Sequence, residues 1–133
     1  MKPEQLDAIN RLYDAMNRRD VAALRALGRE HPNFSWESNA DELDSPGRLD
    51  NDEVLAYSRE LFEIFDELET EIVERIDCGP EHVIFEVRHR VRGAASGVRV
   101  DRNEVHLWTV RGDQVESLRE YRSVEEALEA ARA

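Results

Sequence analysis

"HVIFEVRHRVRGAASGVRVDRNEVHLWTV", residues 82–110, is the stretch that decides the fold class of this chain. Apolar and polar side chains alternate with a period of two on both sides of the short sequence "AASG". Such alternation is typical of β-strands, and the small residues between the two runs are typical of a turn. We therefore predict two long antiparallel strands joined as a hairpin, with arginines 88, 90 and 92 on one face of the first strand.

The turn determines which side chains of the two strands share a face. A two- or four-residue connection pairs residues whose numbers sum to an odd value, as Ala94 and Gly97 do. Odd positions of the first strand then share a face with even positions of the second. This face is the more apolar one, so we predict that it is the inner face. It holds Val83, Phe85, Val87, His89, Val91, Val98, Val100, Arg102, Glu104, His106, Trp108 and Val110.

Four polar residues therefore stand on the predicted inner wall. In this register His89 faces Arg102, and His106 faces Phe85. His106 is the best candidate for an acid or a base, because an imidazole with a free pKa of ~6.5 exchanges a proton near neutral pH. The alternative is a core histidine whose nitrogens are satisfied by hydrogen bonds. Arg102 and Glu104 are expected to pair with each other at the pocket mouth or to hold a polar group of a ligand.

The turn sequence "RGDQ" determines which residue of the last strand faces His106. A three-residue loop with a bulge places Glu120 opposite His106, whereas a two-residue loop at Gly112 and Asp113 places Arg119 there. A carboxylate in this position would fix the tautomer of the imidazole and favour its charged form.

Apolar residues at helical spacing predict three helices before the hairpin. The first covers residues 4–18, and the second follows Asp20 as its N-cap and stops at Gly28. The third begins after residue 50 or 51 and keeps an apolar face as far as Leu68. The other predicted elements are a short strand in 33–38, a loop over 39–50, a strand over 69–78, a strand over 115–121 and a terminal helix capped by Ser123. Helices followed by antiparallel strands indicate an α+β domain, with a pocket between the curved sheet and the helices.

Composition excludes several classes of function. The chain has 133 residues and a formal charge of −12, so it is expected to form one domain, residues 1–133, and to be repelled by nucleic acids. No segment is apolar enough to span a membrane, and the first residues lack the core of a signal peptide, so we expect a cytoplasmic location. One cysteine, Cys78, forms neither an internal disulfide nor a zinc cluster.

Two segments resemble a known family: "LYDAMNRRDVAALRAL" (12–27) and "SGVRVDRNEVHLWTVRGDQVESLREYRSVEEALEA" (96–130). They are similar to SnoaL-like proteins of the nuclear-transport-factor-2-like superfamily, which includes ketosteroid isomerase and polyketide cyclases. The resemblance implies a cone-shaped α+β fold, in which N-terminal helices pack on a curved, mostly antiparallel sheet and enclose a pocket. It implies no single reaction, because this fold carries isomerases, cyclases, dehydratases, epoxide hydrolases and proteins without catalysis.

The resemblance can be carried over at a few positions. His106 falls where the isomerase has its oxyanion-hole acid, and SnoaL-like cyclases commonly carry a histidine there. The isomerase's general base would fall near Ser38, where this chain has no aspartate, and its tyrosine would fall at Leu12, one residue before Tyr13. Steroid isomerase chemistry is therefore not expected. The turn after the long hairpin in this family favours the bulged form, which places Glu120 opposite His106.

We predict a pocket for an apolar small molecule and consider two functions. The first is proton transfer on a carbonyl compound by an isomerase, cyclase or dehydratase, and the second is ligand binding or interaction without catalysis. No cofactor is predicted: His89 and His106 with Glu104 or Glu120 have the composition of a metal triad, but their spacing on strands is not diagnostic. The candidate catalytic residues are His106, Glu120 and His89. The candidate ligand-binding residues are Tyr13, Trp36, Tyr57, Phe85, Arg102, Glu104 and Trp108.

The opposite face of the sheet is predicted to form a homodimer, as it often does in this superfamily. Its apolar centre would consist of Ile84, Val105 and Leu107, surrounded by the arginine ladder. In the same register Asp101 lies opposite Arg90 and would neutralise it.

Overall fold

The computed structural model describes residues 1–39 and 45–133. In these ranges the helices are α1 (Pro3–Asn17), α2 (Val21–Glu30), α3 (Asn51–Ile64) and α4 (Val124–Arg132). The strands are β1 (Ser35–Glu37), β2 (Arg48–Leu49), β3 (Phe65–Asp77), β4 (His82–Gly93), β5 (Arg99–Arg111) and β6 (Gln114–Tyr121). The described strands form one sheet in the order β2-β1-β6-β5-β4-β3, in which the β1–β6 pair is parallel and the other pairs are antiparallel. The predicted α+β class is confirmed.

The register predicted for the long hairpin is confirmed. His89 pairs with Arg102 and Phe85 pairs with His106 along β4 and β5. The inner face packs on α1, with Val83, Phe85, Val87, Trp108 and Val110 in the core. Because side chains alternate along a strand, the same register places Glu104 and His106 on that inner face.

The hairpin of β5 and β6 has the two-residue turn of one predicted alternative and the His106–Glu120 pairing of the other. Its turn has two residues, since Arg111 pairs with Gln114. The register then shifts by one residue between Val115 and Ser117, so that His106 pairs with Glu120 rather than with Arg119. The extra residue of this bulge, Glu116, lies in β6 and not in the turn.

Two features of the helices differ from the sequence predictions. Asp20 caps α2 through a hydrogen bond from Ala23 N to its side chain, as predicted. Gly28, however, does not end α2, which continues to Glu30. A Cβ on Gly28 would lie 2.7 Å from Oδ1 of Asn51, whose Nδ2 donates to the Gly28 carbonyl. Gly28 therefore permits the start of α3 to approach α2 closely.

Helix α3 is shorter than predicted. It ends at Ile64, and β3 begins directly at Phe65, so the apolar residues at 65 and 68 belong to a strand. The guanidinium of Arg19 donates to the carbonyl oxygens of Phe62 and Phe65 at 2.8 and 2.7 Å. The long pairing of β3 with β4, together with the Arg19 cap on the last turn of α3, outweighs the local helical pattern of residues 65–68.

The outer face of the sheet is partly covered by α4, which corrects the predicted dimer centre. Ile84, Val105 and Leu107 are buried against Ala127 and its neighbours on α4. The apolar patch that we assigned to a partner subunit is thus covered within the same chain. The exposed remainder of this face carries ion pairs such as Arg90 with Glu71.

Two further predictions need correction. Val98 and Val100 are predicted on the inner face but are 60% and 47% exposed. Val100 lies at the far end of β5, beyond the buried part of the sheet, and Val98 precedes the strand. The predicted loop over 39–50 contains β2, which pairs with β1, while its residues 40–44 lie outside the described part of the chain. No described helix is long and apolar enough to cross a membrane.

Candidate functional site

A cavity of about 340 Å³ lies between the inner face of the sheet and the helices. Its volume is at the small end of the ~300–1,000 Å³ that is usual for ligand sites. Helices α1 and α3 supply mostly apolar walls, while β4, β5 and β6 supply the polar groups. The apolar side chains include Leu12, Met16, Leu24, Phe34, Val54, Leu61, Phe65, Leu68, Val91 and Leu118.

Most of the candidate residues line this cavity. They are Tyr13, Trp36, Tyr57, His89, Arg102, Glu104, His106, Trp108 and Glu120. Phe85, which we predicted as a ligand-binding residue, does not line it. Its ring packs edge-on against the Tyr13 ring in the core, at 5.9 Å between centroids.

His106 is the centre of the polar part of the site. Its side chain is 4% exposed, and its Nε2 lies 3.3 Å from Glu104 Oε1 and 3.6 Å from Glu120 Oε2. On the other side of the ring, Nδ1 forms a 2.7 Å hydrogen bond with the Tyr13 hydroxyl. Trp108 Nε1 donates to the same hydroxyl at 2.8 Å. The imidazole is therefore held between a hydroxyl and two carboxylates.

His89 and Arg102 complete the cluster on the side of Glu104. His89 Nε2 lies 3.4 Å from Glu104 Oε2, and Arg102 Nη2 donates to that same oxygen at 3.2 Å. The other ring nitrogen of His89, Nδ1, is hydrogen-bonded to Thr70 Oγ1 at 2.8 Å. The predicted pair of Arg102 and Glu104 is thus present, and Glu104 bridges both histidines.

The strands explain this convergence. Positions 102, 104, 106 and 108 of β5 point to the inner face because they alternate with outward residues. Across the ladder, the bulge in β6 aligns Glu120 with His106. In β3, Thr70 is paired with His89, which places its hydroxyl beside the ring.

The two buried carboxyl groups have different proton affinities. Burial raises the pKa of Glu104, but His106, His89 and Glu120 around it outweigh burial and hold the pKa well below its usual range. Burial also raises the pKa of Glu120, and burial together with a smaller contribution from Glu104 outweighs the lowering effect of His106, so that the pKa is about 7. Glu104 is therefore the permanent anion, and Glu120 is the carboxyl group that exchanges a proton near neutral pH.

The surroundings of the His106 imidazole favour its charged form. Burial alone lowers the pKa of His106, but the Tyr13 oxygen and the carboxylates of Glu104 and Glu120 together raise it well above 6.5. Burial raises the pKa of Tyr13, so its hydroxyl keeps its proton. With His106 charged, Nδ1–H donates to the Tyr13 oxygen and Nε2–H is on the side of the carboxylates.

Some residues of the site were not found from the sequence. Thr70, Asn17 and Ser58 line the cavity, and no sequence pattern marks them as functional. Ser38 also lines it, at the position where the resemblance expects a base, and the adjacent carboxylate of Glu37 is exposed.

One group of residues in the cluster could also hold a metal ion. His89, Glu104 and His106 offer ligand atoms that all lie within 4.8 Å of one another.

The sequence of the chain matches the family model described as a SnoaL-like domain, over residues 9–118. This match spans most of the 133 residues and decides the family. The chain belongs to the SnoaL-like family. No curated protein matches the sequence.

Solved structures share the fold of this SnoaL-like protein. A nuclear-transport-factor-2-like protein of unknown function from Burkholderia pseudomallei is 20% identical, with a TM-score of 0.74 over 99% of this chain and 100% of that chain. TerC, co-crystallised with polyporic acid, is 17% identical, with a TM-score of 0.73 over 98% and 99%. A proposed SnoaL-like polyketide cyclase from Jannaschia sp. is 20% identical, with a TM-score of 0.70 over 100% and 96%. These likenesses confirm the predicted cone-shaped fold.

Proposed function

We propose that this SnoaL-like protein binds a mostly apolar, oxygen-bearing small molecule and catalyses proton transfer next to its carbonyl group. The observation that carries this proposal is the position of His106, which is buried at the wall of an apolar cavity with one ring nitrogen facing two carboxylates. An apolar cavity with a few converging polar groups and shifted pKa values is the usual form of such a site.

The proposed chemistry divides an acid and a base between two residues. Glu120 has a pKa of about 7, so at neutral pH its carboxylate accepts the proton from the carbon next to the carbonyl. His106 is the charged partner and donates a hydrogen bond, or its Nε2 proton, to the oxygen on which negative charge develops. Return of the proton from Glu120 to a different carbon gives an isomer, whereas its transfer to a neighbouring hydroxyl group, which leaves as water while the enolate electrons form a C=C bond, gives a dehydrated product. Glu104 holds the charge of His106 in both cases.

The ligand class is proposed from the walls of the cavity and from a structural relative. Trp36 and Tyr57 form an aromatic pair with ring centroids 5.3 Å apart, and both line the cavity. TerC, which has the same fold, was crystallised with polyporic acid. Aromatic compounds with carbonyl and hydroxyl groups are therefore the first class to screen.

A second function is favoured by Ser38. At this position of the cavity wall, where the resemblance expects a general base, the chain has a serine, and a protein that binds its ligand without catalysis would need no base there. The homodimer and the cytoplasmic location also remain proposals. Since α4 covers Leu107 and its neighbours, a dimer would use the charged part of the outer face. Light scattering at micromolar concentration should then give about twice the chain mass of 15.4 kDa.

Deuterium exchange separates the two functions. A melting-curve screen of aromatic carbonyl compounds that carry a hydrogen on the carbon next to the carbonyl group identifies a ligand, which is then incubated with the protein in D₂O. The catalytic proposal expects protein-dependent incorporation of deuterium next to the carbonyl, which is lost in Glu120→Gln and His106→Gln. The control is His82→Gln, which removes a histidine outside the cavity and should exchange normally. Ligand stabilisation without exchange would support the binding function and contradict catalysis.

A further inference from the structure

We propose that His89, Glu104 and His106 bind a divalent transition metal ion beside the cavity. The three ligand atoms lie within 4.8 Å of one another, and their residues come from β4 and β5 at positions that the register holds together. Two imidazoles and a carboxylate are a donor set that suits Zn²⁺, Fe²⁺ and related ions. The proposed acid–base function uses no metal ion, and no cofactor was predicted from the sequence, so this proposal goes beyond both.

The spacing of the ligand atoms fits one shared ion. Metal–nitrogen and metal–oxygen bonds of ~2.0–2.2 Å at tetrahedral angles separate neighbouring ligand atoms by roughly 3.4 Å. In this cluster Glu104 Oε1 lies 3.3 Å from His106 Nε2, and Glu104 Oε2 lies 3.4 Å from His89 Nε2. Because Glu104 meets the two rings through different oxygens, an ion between them would be held by both oxygens of this carboxylate or after a rotation of the Glu104 side chain.

Both histidines are oriented as metal ligands usually are. In each ring Nδ1 is hydrogen-bonded to a hydroxyl group, Thr70 Oγ1 for His89 and Tyr13 Oη for His106, both within 2.8 Å. A ring that donates from Nδ1 presents the lone pair of Nε2 in the opposite direction, which here is toward Glu104. Two hydroxyl groups in the same supporting role are a second observation, independent of the ligand spacing.

Two buried atoms of the cluster lack hydrogen bonds. Within residues 1–39 and 45–133, neither Glu104 Oε1 nor His106 Nε2 forms one, although they are 3.3 Å apart and their side chains are 5% and 4% exposed. The ring N–H direction therefore misses the carboxylate oxygen. Such an arrangement is expected when both atoms are directed at a third atom rather than at each other, and buried polar atoms without partners are costly otherwise.

The charges around the cluster also suit a divalent metal ion. Glu120 Oε2 lies 3.6 Å from His106 Nε2, and as a carboxylate it would balance, with Glu104, the charge of a divalent ion bound by two neutral imidazoles. Arg102 competes for one oxygen of Glu104 at 3.2 Å and lowers the affinity. A bound ion would take the place of the Nε2 proton of His106, so metal-loaded and metal-free protein are two alternative states of one cluster.

Titration of chelator-treated protein with Co²⁺, and with Zn²⁺ in competition, tests the site. We expect saturable one-to-one binding by calorimetry and visible absorption bands typical of Co²⁺ bound by nitrogen and oxygen. His89→Gln and His106→Gln should each weaken binding by more than ~10-fold, and Thr70→Val should weaken it by about 10-fold, because it removes the support of one ligand. His82→Gln is the matched control and should bind as wild type does.

Each outcome decides the proposal. Absence of saturable binding, or equal affinity in wild type and His89→Gln, would overturn it, and His89→Gln is the informative variant because its half-buried ring makes a folding defect less serious than at His106. Deuterium exchange measured in the presence of chelator tests the acid–base function without metal. A failure of the proposed function is therefore distinguishable from a failure of the metal site, which the Co²⁺ titration tests.

Discussion

The two faces of the sheet carry ion pairs of similar length with different consequences. On the outer face Arg90 and Glu71 are 3.8 Å apart, with side chains that are 50% and 56% exposed. On the inner face His106 and Glu104 are 3.3 Å apart, with side chains that are 4% and 5% exposed. Water screens the first pair, so that it contributes little, whereas in the second pair the buried charges shift the pKa values of Glu104, His106 and Glu120. Burial, rather than residue type, distinguishes the candidate site from the surface.

The largest effect is expected from Glu104→Gln. The substitution keeps the shape of the side chain but removes the negative charge that faces His106, His89 and Arg102. Loss of one partner of a buried ionic cluster should lower the free energy of unfolding by on the order of 3 kcal/mol. Urea denaturation measures this value, and a loss below about 1 kcal/mol would show that the cluster is hydrated like the outer face.

Tyr13→Phe should have a smaller but clear effect. The Tyr13 hydroxyl accepts a hydrogen bond from Trp108 and holds Nδ1 of His106, so its removal leaves two buried groups without a partner. We expect a loss of about 2 kcal/mol in the free energy of unfolding. A variant as stable as the wild type would mean that other groups form hydrogen bonds with Trp108 Nε1 and His106 Nδ1. The Tyr13 hydroxyl would then not be what orients the His106 ring.

Burial of Glu120 makes stability depend on pH in a direction opposite to that of an ordinary carboxyl group. Its folded-state pKa of about 7 lies above the ordinary value of 4.5, so its stabilising contribution is complete below pH 4.5 and is lost as the pH rises through 7. Between pH 5 and 8 the wild type should lose on the order of 2 kcal/mol relative to Glu120→Gln. Parallel stability curves for the two proteins would contradict the raised pKa.

The smallest effect is expected on the outer face. Glu71→Gln makes the same chemical change as Glu104→Gln, but in a pair that is exposed to solvent. The free energy of unfolding should change by less than about 0.5 kcal/mol. A loss comparable to that of Glu104→Gln would show that the charged outer face is buried in solution, as a dimer through this face requires.

The sequence was sufficient for those parts of the site that depend on strand alternation. Parity across the "AASG" turn placed Glu104 and His106 on the inner wall, and both are buried there. It left the partner of His106 open, because a bulge at Glu116 changes the register and no residue type marks a bulge reliably. Thr70 was not found because its role depends on where β3 pairs with β4.

Long-range packing accounts for the other errors. The apolar residues Val105 and Leu107 correctly indicated a covered surface, but the pattern did not say that α4 of the same chain covers it. The end of α3 depends on Arg19, which lies more than 40 residues away in the sequence. Phe85 was assigned to the cavity because it shares a face with His106, yet its ring packs behind Tyr13.

The protonation state of His106 is the most direct test of the account. NMR of the imidazole ring in chelator-treated protein, from pH 5 to 9, follows the nitrogen resonances of His106 and of His82 as an internal reference. We predict that His106 stays charged at pH 7, because its pKa is raised well above 6.5, and that Glu104→Gln lowers this pKa. A His106 ring that is neutral at pH 7 in the wild type would contradict the account, since the imidazole would then be a packed core residue with no proton to donate.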